Sequence, residues 1–187
     1  MPSPVGHSII GLTLGAAWLL PRGAWRTLGR RMWALRVPFC LVLLAANAPD
    51  LDYLPGIAIG EINAFHHTYT HTLPFIALVA WLITVCWRSR PARAGWWLAA
   101  IGASHLVADL FAEDRSEPYG IMALWPFTSD YFISPVQPFW HLRKREWIDF
   151  LQLHNVQAVL VEVAWTLPIL IAVLWWKGRG GRVTGNQ

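Results

Sequence analysis

Three histidines and two threonines crowd the seven positions of FHHTYTH (residues 65–71), in a chain that is otherwise largely apolar. Upstream, NAPDLDYLPG (47–56) carries Asp50 and Asp52 two apart; downstream, SHLVADLF (104–111) carries His105 and Asp109 four apart. A further histidine, His7, stands near the N-terminus. Neutral imidazole and carboxylate together suit a divalent metal, zinc foremost, with manganese or iron as alternatives. Each motif also has a plainer reading. A spacing of four puts His105 and Asp109 on one helical face, where a hydrogen-bonded pair would pin two helices together. Asp50 and Asp52 approach a common point if the backbone is extended or turning, and Pro49 disfavours helix at Ala48; otherwise they are loop acids. His66, His67 and His71 alone would serve as a polar interfacial cap. The metal reading gains its weight from their coincidence, which depends on the elements that carry them.

Those elements are apolar. Of 187 residues, 55% are hydrophobic and 14% charged, with 13 tryptophans, whereas a soluble domain carries about 25% charged residues. Lipid is therefore part of the expected surroundings. Apolar stretches fall at 5–20, 33–48, 73–87, 95–112 and 154–176. Only the last has the ~20 residues that comfortably cross a bilayer. The first lacks a basic flank and reads as a retained helix rather than a cleaved signal. Cys40 and Cys86 lie within apolar runs and suggest neither a disulfide framework nor a thiolate metal site. No repeat at a fixed period interrupts the chain. The expected fold is all-α: one multi-pass membrane domain over 1–187, a bundle of about five helices with a metal site at its outer end.

Charge sets the orientation. Arg22, Arg26, Arg30, Arg31 and Arg36, then Arg88, Arg90 and Arg93, then Lys177, Arg179 and Arg182 make up eleven of the fifteen basic residues. By the positive-inside rule these alternate segments face the cytoplasm. The net charge of +4 is thus explained without a nucleic-acid partner. The N-terminus, 49–72 and 113–153 face outward, 113–153 as a lid, and the tail 177–187 lies in the cytoplasm. On this topology His7, Asp50, Asp52, His66, His71, His105 and Asp109 all reach the outer end, and all seven are candidate metal ligands. Asp50 is also a catalytic candidate, and His66 a general base. His141 and His154 read as surface or capping residues, Glu162 as an interhelical hydrogen-bonding group, and the basic run 143–145 as a solvated stretch or a lipid-phosphate contact.

In order along the chain, the N-terminal histidine, PDLD, HHTYTHTL, SHLVADLF and YGIMALWPF resemble the YdjM-type membrane-bound metal-dependent hydrolase family, from His7 to about Phe127. The family pattern H-R-G-x-T-H-S is matched by His66, Thr70 and His71, with Thr72 replacing serine conservatively. His67 stands where arginine is usual and Thr68 where glycine is usual. A looser likeness is to zinc-dependent phospholipase C, which sets His and Asp on helices around clustered zinc ions. The resemblance implies hydrolysis. The expected function is a metal-dependent hydrolase of the inner membrane acting on a phosphoester of a lipid or other membrane-borne substrate. A metal-ion or proton transporter, or a non-enzymatic regulatory membrane protein, are the alternatives.

Overall fold

The computed structural model describes residues 2–23, 28–66, 68–115, 119–144, 149 and 151–179. His67, Arg26, Arg145 and the tail beyond Arg179, which includes Arg182, lie outside the described residues. Among those described, the chain forms six α-helices and no strand: α1 (Pro4–Leu19), α2 (Leu28–Asn47), α3 (Tyr53–Ile59), α4 (Leu73–Cys86), α5 (Ala94–Leu110) and α6 (Leu153–Arg179). A 3₁₀ turn, Pro49–Asp52, joins α2 to α3. The five apolar stretches correspond to α1, α2, α4, α5 and α6. The short α3 is additional.

Among the described residues, only α6, with 27 residues and a mean hydropathy of 2.2, is by itself long and apolar enough to cross a membrane. The apolar helices α1 and α4 have 16 and 14 residues. At 1.5 Å per residue they reach roughly 24 and 21 Å, short of the ~30 Å of a hydrocarbon core. Trp33–Asn47 and Pro49–Ile59 would qualify only as one span bent by 64°. As Pro49 suggested, α2 stops at Asn47 and the chain breaks at Ala48 into the 3₁₀ turn, although Ala48 itself keeps helical dihedrals (φ −59°, ψ −37°). Proline at the first position of the 3₁₀ turn loses no hydrogen bond, because that N–H has no partner within a helix. The direction change is therefore made by the tighter turn.

Helix α1 sits in the middle, packed against α2, α5 and α6, while α4 lies on α5. Small residues make this possible. A Cβ on Gly11 would come within 2.5 Å of the Ala46 Cβ, and one on Gly15 within 2.9 Å of Val42 Cγ1. Glycine and alanine at the contact let the two backbones approach closely. The core behind this contact is Val42, Ala45, Ala46, Ala80, Ile83, Leu98 and Ile101. The outer surface is also oily, with Trp81, Trp96, Leu160, Trp165 and Ile169 all more than half exposed. Glu162 is fully buried in α6 and accepts from the Ser3 N–H at 2.9 Å and the Ser3 hydroxyl at 2.5 Å. That is the interhelical bond its sequence position suggested.

The stretch between α5 and α6 folds back over the end of the bundle. Ile121 and Phe132 form an antiparallel bridge, the Leu73 N–H donates to the Ala123 carbonyl (2.9 Å), and Ile121 packs on Ile76 and Leu106. His141 Nδ1 lies 3.0 Å from Glu113 Oε2, and His154 Nε2 lies 2.9 Å from the His141 carbonyl, so both histidines take loop-fastening roles. Burial pushes the Glu113 carboxyl up, but Arg115 and His141 outweigh it and hold the group at about 2.

Candidate metal centre

Four segments end at one point. Helix α1 starts at the Ser3 N-cap with Pro4 in its first turn, and its second turn carries His7, which is 1% exposed. The 3₁₀ turn after α2 carries Asp50 and Asp52. Thr72 caps α4 through the Phe75 N–H at 3.3 Å, which fixes the entry of the chain and leaves His71, immediately before the cap, fully buried. Helix α5 supplies His105 and Asp109, one turn apart on its inward face.

His105 Nε2 lies 3.2 Å from Asp109 Oδ2 and 3.7 Å from Asp50 Oδ1. His71 Nε2 lies 3.6 Å from Asp109 Oδ2 and 3.7 Å from Asp50 Oδ1. His7 Nε2 is 3.4 Å from Asp109 Oδ1, and its ring stacks on His105 with centroids 3.6 Å apart. Bonds of about 2.1 Å to one tetrahedral ion separate its ligand atoms by roughly 3.4 Å, the scale seen here. Among the described residues, three overlapping groups could each hold an ion: His7, Asp50 and His105; Asp50, His66 and His71; and His71, His105 and Asp109.

The fit can be tested on hydrogen bonding. Both ring nitrogens of His7, Asp50 Oδ1, His105 Nε2 and both Asp109 oxygens are buried without a hydrogen bond. Orphaned polar atoms are costly in an interior and rarely gather by accident. A shared cation would satisfy those that face the cluster, His7 Nε2 among them, since each residue offers one ligand atom. The outer atoms of the ligands are oriented to match. The Ala46 carbonyl, in the last turn of α2 where carbonyls lack intrahelical partners, lies 2.8 Å from His105 Nδ1. A carbonyl only accepts, so Nδ1 carries the proton and the Nε2 lone pair faces the cluster. A partner behind the imidazole is the usual support of a metal-ligating histidine. His71 has the same arrangement with a carboxylate: its Nδ1 lies 3.3 Å from Asp52 Oδ2. Burial pulls the His71 pKa down, but the neighbouring carboxylates of Asp50, Asp52 and Asp109 reverse this and raise it to about 9.

The structure thus separates the seven candidates into two layers. His7, Asp50, His71, His105 and Asp109 converge directly. Asp52 reaches the cluster through His71; its Oδ1 lies 3.0 Å from His66 Nδ1, and its Oδ2 accepts from the Thr70 hydroxyl at 2.7 Å. His66 belongs to one possible ligand group, yet its Nε2 faces the Tyr53 hydroxyl at 2.5 Å. The Lys144 ammonium in turn donates to the Tyr53 hydroxyl. Tyr53 and Lys144 were not singled out in the sequence, and for Lys144 the solvated reading of its basic run is corrected. Tyr53 directly follows PDLD, which was a usable signal; Lys144 stood out only as part of the basic run 143–145, with a lipid-phosphate contact as its alternative reading.

An all-helical chain with a buried histidine and aspartate cluster able to hold a metal ion at one end defines the class. The model of the YdjM inner membrane protein family matches residues 1–181, and the chain belongs to that family. No curated protein and no solved structure matches it.

Proposed function

We propose that the chain is a membrane-embedded, metal-dependent hydrolase acting on a phosphoester of a lipid or other membrane-borne substrate. The observation that carries this reading is the convergence of orphaned His and Asp atoms at one end of an oily bundle. His7, Asp50, His71, His105 and Asp109 are the ligands, zinc the foremost ion, and manganese or iron the alternatives. When bound, such an ion supplies Lewis acidity to a phosphoryl oxygen and acidifies a water molecule. Asp52 holds His71 and His66 in place by bonding their Nδ1 atoms. His66, oriented in this way, exchanges a proton at Nε2 as the general base. Asp50, on a turn rather than a helix, is placed to ligate and to orient the attacking water.

The bilayer setting is supported by the family, the exposed apolar surface and the length of α6. In this reading the shorter helices keep the cluster at the lipid–water boundary, where a headgroup enters while its acyl chains stay in hydrocarbon. The 113–153 segment acts as the lid, the N-terminus lies outside and the C-terminus in the cytoplasm. Labelling Glu61→Cys and Gly180→Cys from outside tests the topology: modification of position 180 alone would overturn it.

Turnover of headgroup-labelled lipids in nanodiscs, with and without added zinc or manganese, tests the reaction. Metal-bound protein that hydrolyses nothing but moves ions across liposomes would make the chain a transporter instead.

A further inference from the structure

Lys144 arrives at the metal centre from the segment between α5 and α6, and the chain uses buried and bracketing side chains to bring it there. Asn155, 4% exposed on α6, accepts from the Arg143 N–H at 2.8 Å and donates to the Arg143 carbonyl at 2.8 Å. The same amide also donates to the Asp149 carbonyl at 2.8 Å. From the other side, Asn63 donates to the Lys144 carbonyl at 2.9 Å. The backbone at 143–144 is therefore held from two elements, one preceding α4 and one following the segment itself. What this fixes in space is the ammonium. It lies over the Tyr53 ring, 4.9 Å from the centroid, donates to the Tyr53 hydroxyl, and stands 3.4 Å from His66 Nε2.

From there a directed chain of hydrogen bonds leads inward. The Lys144 ammonium donates to Tyr53, Tyr53 faces His66 Nε2, His66 Nδ1 faces Asp52, and Asp52 holds His71. The centre itself carries the carboxylates of Asp50, Asp52 and Asp109. An anionic substrate would meet their repulsion unless fixed positive charge stood at the point of entry. An ammonium is a compact donor of the kind that binds phosphoryl oxygens as a point charge.

We infer that Lys144 and the Tyr53 hydroxyl form an anion-binding edge beside the metal ligands, which receives the phosphoryl group of the substrate. The inference rests on the hydrolase reading for the identity of the anion, but not for its existence. Lys144 is a substrate-binding residue; Asn155 and Asn63 position it.

The test uses full-length, zinc-loaded protein in phosphatidylcholine nanodiscs. Inorganic phosphate is titrated in one arm and water-soluble short-chain phosphatidylglycerol in the other. Since a hydrogen bond to a charged group contributes about 1.5–3 kcal/mol, Lys144→Gln weakens binding roughly tenfold or more. Lys144→Arg retains most of the affinity, Tyr53→Phe loses several-fold, and zinc content is unchanged in all three. Tighter binding of the lipid identifies a headgroup as the source of the anion, and tighter binding of inorganic phosphate a soluble one; either supports the edge. Wild-type affinity in zinc-replete Lys144→Gln overturns it. Should Lys144→Gln lose zinc, Tyr53→Phe is decisive, and unaltered phosphate affinity there overturns the inference. Lys144-dependent phosphate binding without phosphoester turnover would remove the hydrolase reading and leave the edge standing. Turnover whose KM is unmoved by Lys144→Gln would do the reverse.

Discussion

The two ends of the bundle handle polar groups in opposite ways. At the far end, where α1 stops and α6 finishes, the Lys177 ammonium donates to the Leu20 carbonyl at 2.7 Å and lies 5.1 Å from the Trp176 ring centroid. Arg22 sits over the same ring at 5.0 Å, and Arg179 over Trp175 at 3.9 Å. Lys177, Arg22 and Arg179 each meet a carbonyl or an aromatic face, with Trp176 shared by Lys177 and Arg22, and their stems cover apolar surface. At the near end, Asp50, His7, His105 and Asp109 keep buried atoms without individual partners and all point at one another. One end is a set of separate cation contacts; the other is a cluster of mutually facing groups that could hold a shared ion. The lesson is energetic: perturbations at the far end should be local and additive, while those at the near end should be collective.

The sharpest way to break this contrast is to remove one ligand. His105→Ala or Asp109→Asn should abolish stoichiometric zinc binding, measured by elemental analysis of protein purified without chelator. The double variant should lose no more than either single one, because the ligands act as a unit. Zinc at a hundredfold excess over its Kd should stabilise the wild type by about 2.7 kcal/mol and leave these variants unmoved. Full zinc retention in both single variants would dissolve the near end into ordinary polar packing.

Asp52→Asn should have a smaller effect, because it removes support rather than a ligand. Weakening of zinc affinity by roughly 10–100-fold is expected, with stoichiometry restored at excess metal. Competition with a chromophoric chelator measures it. Loss of zinc even at saturation would place Asp52 among the direct ligands.

At the far end, Lys177→Met should cost about 1 kcal/mol, the scale of one hydrogen bond, and leave zinc content as it was. Thermal unfolding in detergent and elemental analysis read the two quantities. A change in zinc content would mean that α6 couples the two ends. The smallest effect is expected at the partly buried Glu113. Its carboxyl is held at about 2 in the folded protein, against an ordinary value of 4.5. A depressed carboxyl contributes stability above its unfolded pKa and loses it as pH falls towards the folded one. The modest Tm difference between wild type and Glu113→Gln should therefore be present above pH 4.5 and shrink as pH drops towards 2. A difference that grows on acidification would contradict the assigned contacts with Arg115 and His141.

Much of the centre was legible because its residues are chemically conspicuous where they stand. His105 and Asp109 share a helical face at any register of the bundle, and an ionisable pair in an apolar stretch stands out. Glu162 was legible for the same reason. The break before Pro49 was legible as well, since α2 ends at Asn47, whereas the helical dihedrals that Ala48 keeps were not. The layer in which Asp52 sits was also hidden. Two aspartates two apart look equivalent in sequence, and only the 3₁₀ turn sends Asp50 into the cluster and Asp52 behind His71.

The sequence by itself determined the helical apolar stretches and the inventory of donor groups, because hydrophobic patterning and helical periodicity act over a few neighbouring residues. Tertiary structure alone decided which donors meet, which one stands behind another, and that Lys144 reaches Tyr53 across 91 positions of chain. Such contacts are fixed by the close approach of α1 at Gly11 and Gly15 and by the clamps of Asn63 and Asn155. They depend on distances of a few ångströms between segments, and no local pattern in the chain encodes them.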